Sequence, residues 1–324
     1  DLSVIGDFVM VRSGGVPAYN FAVVVDDALM GITHVIRGED HISNTPRQLL
    51  LYEGFGWKPP QFAHVSMVLG PDHSKLSKRH GATSVGEFRE KGYLPEALAN
   101  YLALLGWSPG ENEELLPLEE LARRFKLEDV GKSPGVFDPE KLAWANRHYI
   151  KASAPQRLAT LAMPFLRQAG WVTEPRGAAL DFITFAVAAA AASVDHLDQV
   201  PGRLRFLFDY SAPRALENEG IGAEAEASRP VIEALADVLA AGPRMLDRET
   251  FRAAATRVRE KTGVKGKELF HPIRLALTGE AEGMELDTAV PVIERGAAVG
   301  SADITPVYGA RERAAEFARL LQAR

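Results

Sequence analysis

Strand-type sequence is confined to the first third of this chain. Between residues 8 and 37, β-branched and aromatic runs in DFVMVRSGGVPAYNFAVVVDD, broken at Gly14-Gly15, read as strands, and GITHVIRG as a further short one. TPRQLLLYEGFGW then carries a Thr cap at Thr45, Pro46 at the first helical position and apolar residues at helical spacing, stopped by Gly54 and Gly56. QFAHVSMVLG is strand-like again, and PEALANYLALLGW is a helix opened by Pro95. Strand, helix and strand in that order predict a parallel-sheet unit. Beyond about residue 150 only helical patterns remain, among them the Ala-rich FITFAVAAAAASVDHL and the charged ETFRAAATRVREKTG, punctuated by Pro155, Pro201, Pro243 and Pro272. ALENEGIGAEAEASRP reads as a flexible connection or a frayed helix pair. The expected class is therefore α/β followed by all-α.

Composition bounds the function. A length of 324 residues, 46% of them hydrophobic, predicts two or three domains with sizeable cores. No apolar run reaches eighteen residues, so no membrane helix is expected, and no secretion signal is recognisable. The chain has no cysteine, which excludes disulfides and thiolate metal sites and suits a cytoplasmic setting. A net charge of −6 argues against a polyanion-binding surface over the whole molecule. Any nucleic-acid contact has to be local. The chain opens on Asp1 rather than Met and runs directly into strand-like sequence.

The chemistry-bearing residues fall in the strand-rich part. In an open parallel sheet, ligands sit beyond the carboxyl ends of the strands. THVIRGEDH fits that rule, with Arg37, Glu39, Asp40 and His41 bursting out after an apolar run. Arg37 suits a carboxylate held in a two-point fork, or equally an internal ion pair with Asp26, Asp27 or Glu39. The acids and His41 lack metal-ligand spacing, so no protein-held metal is expected. GPDHSKLSKRHG places Lys75, Lys78 and Arg79 around Ser77, between Gly70 and Gly81. Such a loop can neutralise charge developing on a triphosphate, or it can be a solvated surface loop. It is not a Walker loop, since GxxxxGK[ST] does not occur.

HSKLSKRHG resembles the signature loop of class I aminoacyl-tRNA synthetases in its Lys-Leu-Ser-Lys-Arg form. Together with YNFAVVVDDALMGITHVIRGEDHISNTPRQLLLYEGFGW, GYLPEALANYLALLGW, FDPEKLAWANRHYI and LFHPIRLALTG, in this order, the chain is similar to the bacterial-type glutamyl-tRNA synthetase family across nearly its whole length. The resemblance implies the C-terminal half of a Rossmann-like catalytic domain over residues 1–82, with the end of an inserted acceptor-binding domain at its extreme N-terminus. A stem-contact region over 83–150 and a helical anticodon-binding region over 151–324 would follow.

The same resemblance implies activation of glutamate with ATP, accompanied by Mg²⁺, and transfer to tRNA(Glu), with tRNA(Gln) open as a second acceptor, by a cytoplasmic monomer. Lys75 and Lys78 would hold ATP phosphates and stabilise the transition state, with Ser77 between them. Met67 and Val68 would read adenine through their backbone, and His41 would line the ATP pocket. Tyr19, Arg37 and Asp40 would hold glutamate, Arg37 through its side-chain carboxylate. Phe137, Lys141, Trp144 and Asn146 fall in the stem-contact region, with Phe137 and Trp144 expected in the core and Lys141 as a phosphate contact. Arg274 would read the anticodon. Independently, residues 244–274 hold nine Lys or Arg against four acids, the footprint of a local polyanion site.

Three departures qualify these implications. No His-Ile-Gly-His type motif occurs, so the chain is expected to be incomplete and inactive alone, a non-catalytic tRNA-binding protein being the alternative. Val23 replaces a polar residue of the pocket. Residues 188–195 lack the arginine that reads the third anticodon base, so discrimination between glutamate and glutamine tRNAs is expected to be relaxed.

Overall fold

The computed structural model describes residues 5–110 and 113–324. Residues 1–4, where the end of an inserted domain is expected, lie outside them. The chain forms two compact units: Asp1–Glu87 with Pro95–Ala145, and Phe88–Leu94 with Asn146–Arg324.

The first unit contains the expected parallel crossover. Strand β1 (His34–Gly38) pairs in parallel with β2 (Gln61–Val65), placing Arg37 opposite His64. The connecting helix Thr45–Phe55 ends at Gly56, whose φ of 68° lies in the left-handed region that stops helices. Thr45 is its first residue rather than its cap, and its hydroxyl is used elsewhere. A second small parallel sheet pairs β3 (Val68–Leu69) with β4 (Gly135–Val136).

One expectation is overturned. Tyr19–Leu29, read as strand from its β-branched residues, is a helix. Phe21, Val24 and Ala28 recur at helical spacing and pack with Leu51, Tyr52, Trp57 and Phe62, so burial against the neighbouring helix outweighs a weak local preference. Of the preceding strands only the turn persists, with Arg12 and Gly15 closing it and a single antiparallel bridge from Val11 to Pro17.

The second unit is helical, as expected, with helices from Pro155–Gln168 to Ala310–Gln322. Ile183, Ala186, Val187 and Ala190 of the Ala-rich helix Ala178–Ala191 are fully buried, which fits the close-packing role of small side chains. The stretch read as a flexible connection or a frayed helix pair forms two short helices, Ala212–Glu217 and Glu219–Ala227, capped by Ser211 and Asn218. Pro272 does not interrupt a helix but lies buried inside Lys267–Thr278. At the centre Arg313, fully buried, donates to the carbonyls of Phe206, Leu207, Leu277 and Tyr308 and stacks on Tyr210 at 4.3 Å. Two of these carbonyls end helix Val200–Phe208 and one ends Lys267–Thr278, so one guanidinium caps both C-termini. Burial lowers its pKa to about 10, which leaves it a cation at neutral pH.

Candidate active site

The parallel pairing of β1 and β2 brings the first group of candidate residues to their carboxyl ends. Arg37 extends from β1 over the Phe62 ring, 5.3 Å from its centroid. Its Nη2 donates to Thr45 Oγ1 at 2.7 Å and to Gln48 Oε1 at 2.8 Å, and its Nε to His64 Nε2 at 3.4 Å. All three partners are neutral groups: His64 is pushed below the ordinary histidine range by burial first, then by the charges of Arg37 and His41. The ion pair with Asp26, Asp27 or Glu39 does not form. Burial holds Asp27 above the usual carboxylate range, while the nearby Arg37 charge opposes the shift. A half-buried cation without a bonded carboxylate is a ready partner for a ligand carboxylate.

Tyr19 and His41 meet ring to ring at 5.9 Å, and His41 Nδ1 is 3.2 Å from Asn44 Nδ2. Asp40 accepts from Lys75 Nζ at 3.1 Å, and that bond holds its carboxyl below the usual range. Tyr19, Arg37, Asp40, His41 and Lys75 are therefore brought to one end of the small sheet.

The basic loop folds back on β3 as a hairpin. Leu76 N–H donates to Val68 O at 3.0 Å, Gly70 N–H to Ser74 O at 2.8 Å, and Lys75 bridges Leu69. Met67 N–H is tied to Glu39 Oε1 at 3.1 Å, so the backbone edge of residues 67 and 68 is already partly engaged. Asp72 is the hub of the loop. It accepts from Ser74 N–H at 3.0 Å and Ser74 Oγ at 2.7 Å, pairs with Arg79 at 3.0 Å and lies 3.2 Å from His80 Nε2. These bonds, led by those from Ser74, hold its carboxyl far below the usual range. A Cβ at Gly70 would approach the His80 ring to 2.9 Å, so any larger residue would displace that ring from its place beside Asp72. Ser77 N–H donates to His80 Nδ1 at 3.0 Å. Among the described residues Lys78 has no ion pair; its charge helps hold Glu87 down at about 2, chiefly the work of bonds from Thr83 and Ser84.

The nucleic-acid candidates are divided between the two units. In the first unit Lys141 Nζ bonds Glu114 Oε1 at 2.7 Å. Phe137 is buried and meets Tyr101 edge-on, as expected of core, whereas Trp144 is only partly buried. In the second unit Asn146 is fully buried, accepting from Leu94 N–H and donating to Asp195 O. Arg274 lines a groove of about 650 Å³ with Arg252, Arg259, Lys265, Lys267 and His271. Its Nη1 donates to Met284 O at 2.9 Å, and burial lowers its pKa. Part of the basic stretch is neutralised internally, since Arg248 and Arg252 both grip Asp287.

Sequence reasoning missed Asn20, Thr45, Gln48, His64 and Asp72. The available signal was Thr45 and Gln48 three apart in a helix, a polar pair one turn apart on one face.

Comparison with known proteins supports the architecture. Residues 1–144 match the family described as tRNA synthetases class I (E and Q), catalytic domain, and residues 157–299 match an anticodon binding domain. The glutamate–tRNA ligase of Desulforamulus reducens is 43% identical over 290 residues, 89% of this chain and 60% of that protein. That of Heliobacterium modesticaldum is 46% identical over 297 residues, 91% and 60% respectively. The crystal structure of a glutamate tRNA ligase from Elizabethkingia meningosepticum in complex with its amino acid superimposes with a TM-score of 0.71 at 26% identity, covering 98% of this chain and 63% of that one. The fold is thus a partial Rossmann-like catalytic domain followed by a mostly helical anticodon-binding region. The chain is a homologue of the glutamate–tRNA ligases that spans about 60% of their length, with a class I catalytic-domain fragment followed by an anticodon-binding domain.

Proposed function

We infer that this chain supplies the glutamate-binding and signature-loop side of a glutamate–tRNA ligase, which joins glutamate to the α-phosphate of ATP as glutamyl-adenylate, releasing pyrophosphate, and then transfers the glutamyl group to tRNA(Glu), releasing AMP. The observation that carries this reading is Arg37, half-buried near the carboxyl end of a parallel strand with neutral hydrogen-bond partners only. Its charge would take a carboxylate of glutamate beside Tyr19 and Asp40. Lys75, Ser77 and Lys78 would meet the triphosphate, with Lys78 free to neutralise charge as glutamate attacks the α-phosphate. For Lys75 to do so it would leave Asp40, an exchange between exposed groups that costs little.

The backbone at Met67 and Val68 and the His41 ring would border the nucleotide. Among the described residues no group of three or more His, Asp or Glu could hold a metal ion, so Mg²⁺ would arrive as the counter-ion of ATP. Arg274 and the basic groove would face the anticodon, and Lys141 the stem once it releases Glu114. The setting proposed is a cytoplasmic monomer; no described helix is long and apolar enough to cross a membrane.

A second reading is a tRNA-binding protein without catalysis, which the match of residues 157–299 to an anticodon binding domain would equally suit. Glutamate-dependent ATP–pyrophosphate exchange decides between them. The 324-residue chain alone should show none, and joined to the N-terminal portion of a relative it should regain exchange that Arg37→Ala impairs through a raised glutamate KM. Full-length fusions without exchange, yet binding tRNA, would establish the second reading.

A further inference from the structure

Gln48 is an anomaly of the first unit: a side-chain amide only 2% exposed, in a helix whose other buried residues are Leu51 and Tyr52. A buried amide persists where its donors and acceptor are matched. Its Nε2 donates to Asn20 Oδ1 at 3.0 Å, and its Oε1 accepts from Arg37 Nη2 at 2.8 Å. Asn20 therefore fixes which end of the amide faces the guanidinium. Thr45, one turn earlier, accepts from the same Nη2 at 2.7 Å, and its hydroxyl lies 3.0 Å from His64 Nε2. Both hydrogens of Nη2 are thereby committed, and the single hydrogen of Nε is directed at His64. Either two-point fork on a guanidinium requires Nη2, so among the described residues only Nη1 remains for a ligand.

We propose that Gln48 is a positioning residue for Arg37: oriented by Asn20, it withdraws Nη2 from ligands and offers a carboxylate the Nη1 group alone. The proposal rests on the reading of Arg37 as the glutamate-binding cation, but the clamp is observable without any ligand.

The test uses the 324-residue chain and the arginine side-chain NMR signals, with Arg37 assigned through Arg37→Lys. In the unaltered chain the Arg37 Nη2 hydrogens, held by Gln48 and Thr45, should exchange slowly with water. Gln48→Leu should speed that exchange about tenfold, the loss expected for one hydrogen bond to a charged group. Asn20→Ala, which keeps Gln48 but frees its amide to turn, should give a smaller change of the same sign, and it keeps the proposal testable if Gln48→Leu unfolds. Other arginine signals should stay where they are in both variants, which a general loosening of the fold would not allow. Unchanged Arg37 exchange in the folded variants overturns the proposal. Glutamate is then added: a shift of the Arg37 signal that weakens in the variants, while the ATP response is kept, supports positioning, and equal glutamate affinity in all three chains overturns it. Glutamate that leaves Arg37 unmoved in the unaltered chain, with exchange responding as expected, overturns the glutamate reading and leaves the clamp standing.

Discussion

Lys75, Lys78 and Arg79 in the first unit and Arg313 in the second are all cations, yet they stand in opposite circumstances. The loop cations are exposed, and the carboxylates that Lys75 and Arg79 pair with are exposed groups they can leave. Arg313 is fully buried and bonded to four backbone carbonyls. The first arrangement keeps charge available to a ligand; the second converts charge into architecture. Apolar surface divides in the same way. Among the described residues, all but four of the exposed large hydrophobic side chains, Leu180, Leu246, Phe270 and Tyr308 being the exceptions, belong to the first unit. The helical unit closes its own core, whereas the α/β unit keeps both charge and apolar area accessible.

The comparison breaks first at Arg313. Arg313→Met should destabilise the helical unit by about 3–5 kcal/mol, because it strands buried carbonyls, and urea unfolding followed by circular dichroism would measure it. A cost below that of a surface arginine would show that its burial is incidental. At the opposite pole, Lys78→Ala should leave the unfolding curve unchanged while slowing adenylate formation in the joined protein by about 10²–10³-fold. Normal exchange in that variant would return the loop to a solvated surface feature.

Arg274 lies between these extremes, half-buried and in a basic groove. Arg274→Glu should weaken tRNA binding and reduce the slope of log affinity against log salt by about 1–2. An unchanged slope would mean that the groove is not a phosphate contact. The smallest effect concerns Glu87, which caps helix Val85–Glu90 by accepting from Thr83 and Ser84 N–H. Its folded pKa is depressed from 4.5 to about 2, so its contribution is complete above 4.5 and disappears as pH falls towards 2. Amide exchange at residues 83–87 should rise across that window, and Glu87→Gln should abolish the dependence.

Much of this organisation could be read from the sequence, for reasons that differ by element. The crossover from β1 to β2 was legible because its strands and helix have distinct apolar periods, and Arg37 because a charge abruptly follows an apolar run. The helix Tyr19–Leu29 was not, since its Val-rich face is decided by Leu51 and Tyr52, more than twenty residues away. Thr45 looked like a cap because capping and ligand-support roles use the same hydroxyl. The network of Asn20, Gln48 and His64 was hidden because each member is unremarkable until three separate elements converge. Arg313 was equally hidden: ARERAAEFARLLQ has five charged residues, and nothing in their spacing marks one of them for burial.

Three of the four carbonyl partners of Arg313 are distant in sequence, with separations of 107, 106 and 36 residues for Phe206, Leu207 and Leu277. Those carbonyls converge only after most of the helical unit has assembled, so the guanidinium enters at the end of folding rather than at its nucleus. Its interactions are then nearly absent from the transition state and fully present in the native state. They act as a brake on leaving the native state, and their removal falls on the unfolding rate, with the rate of folding almost untouched.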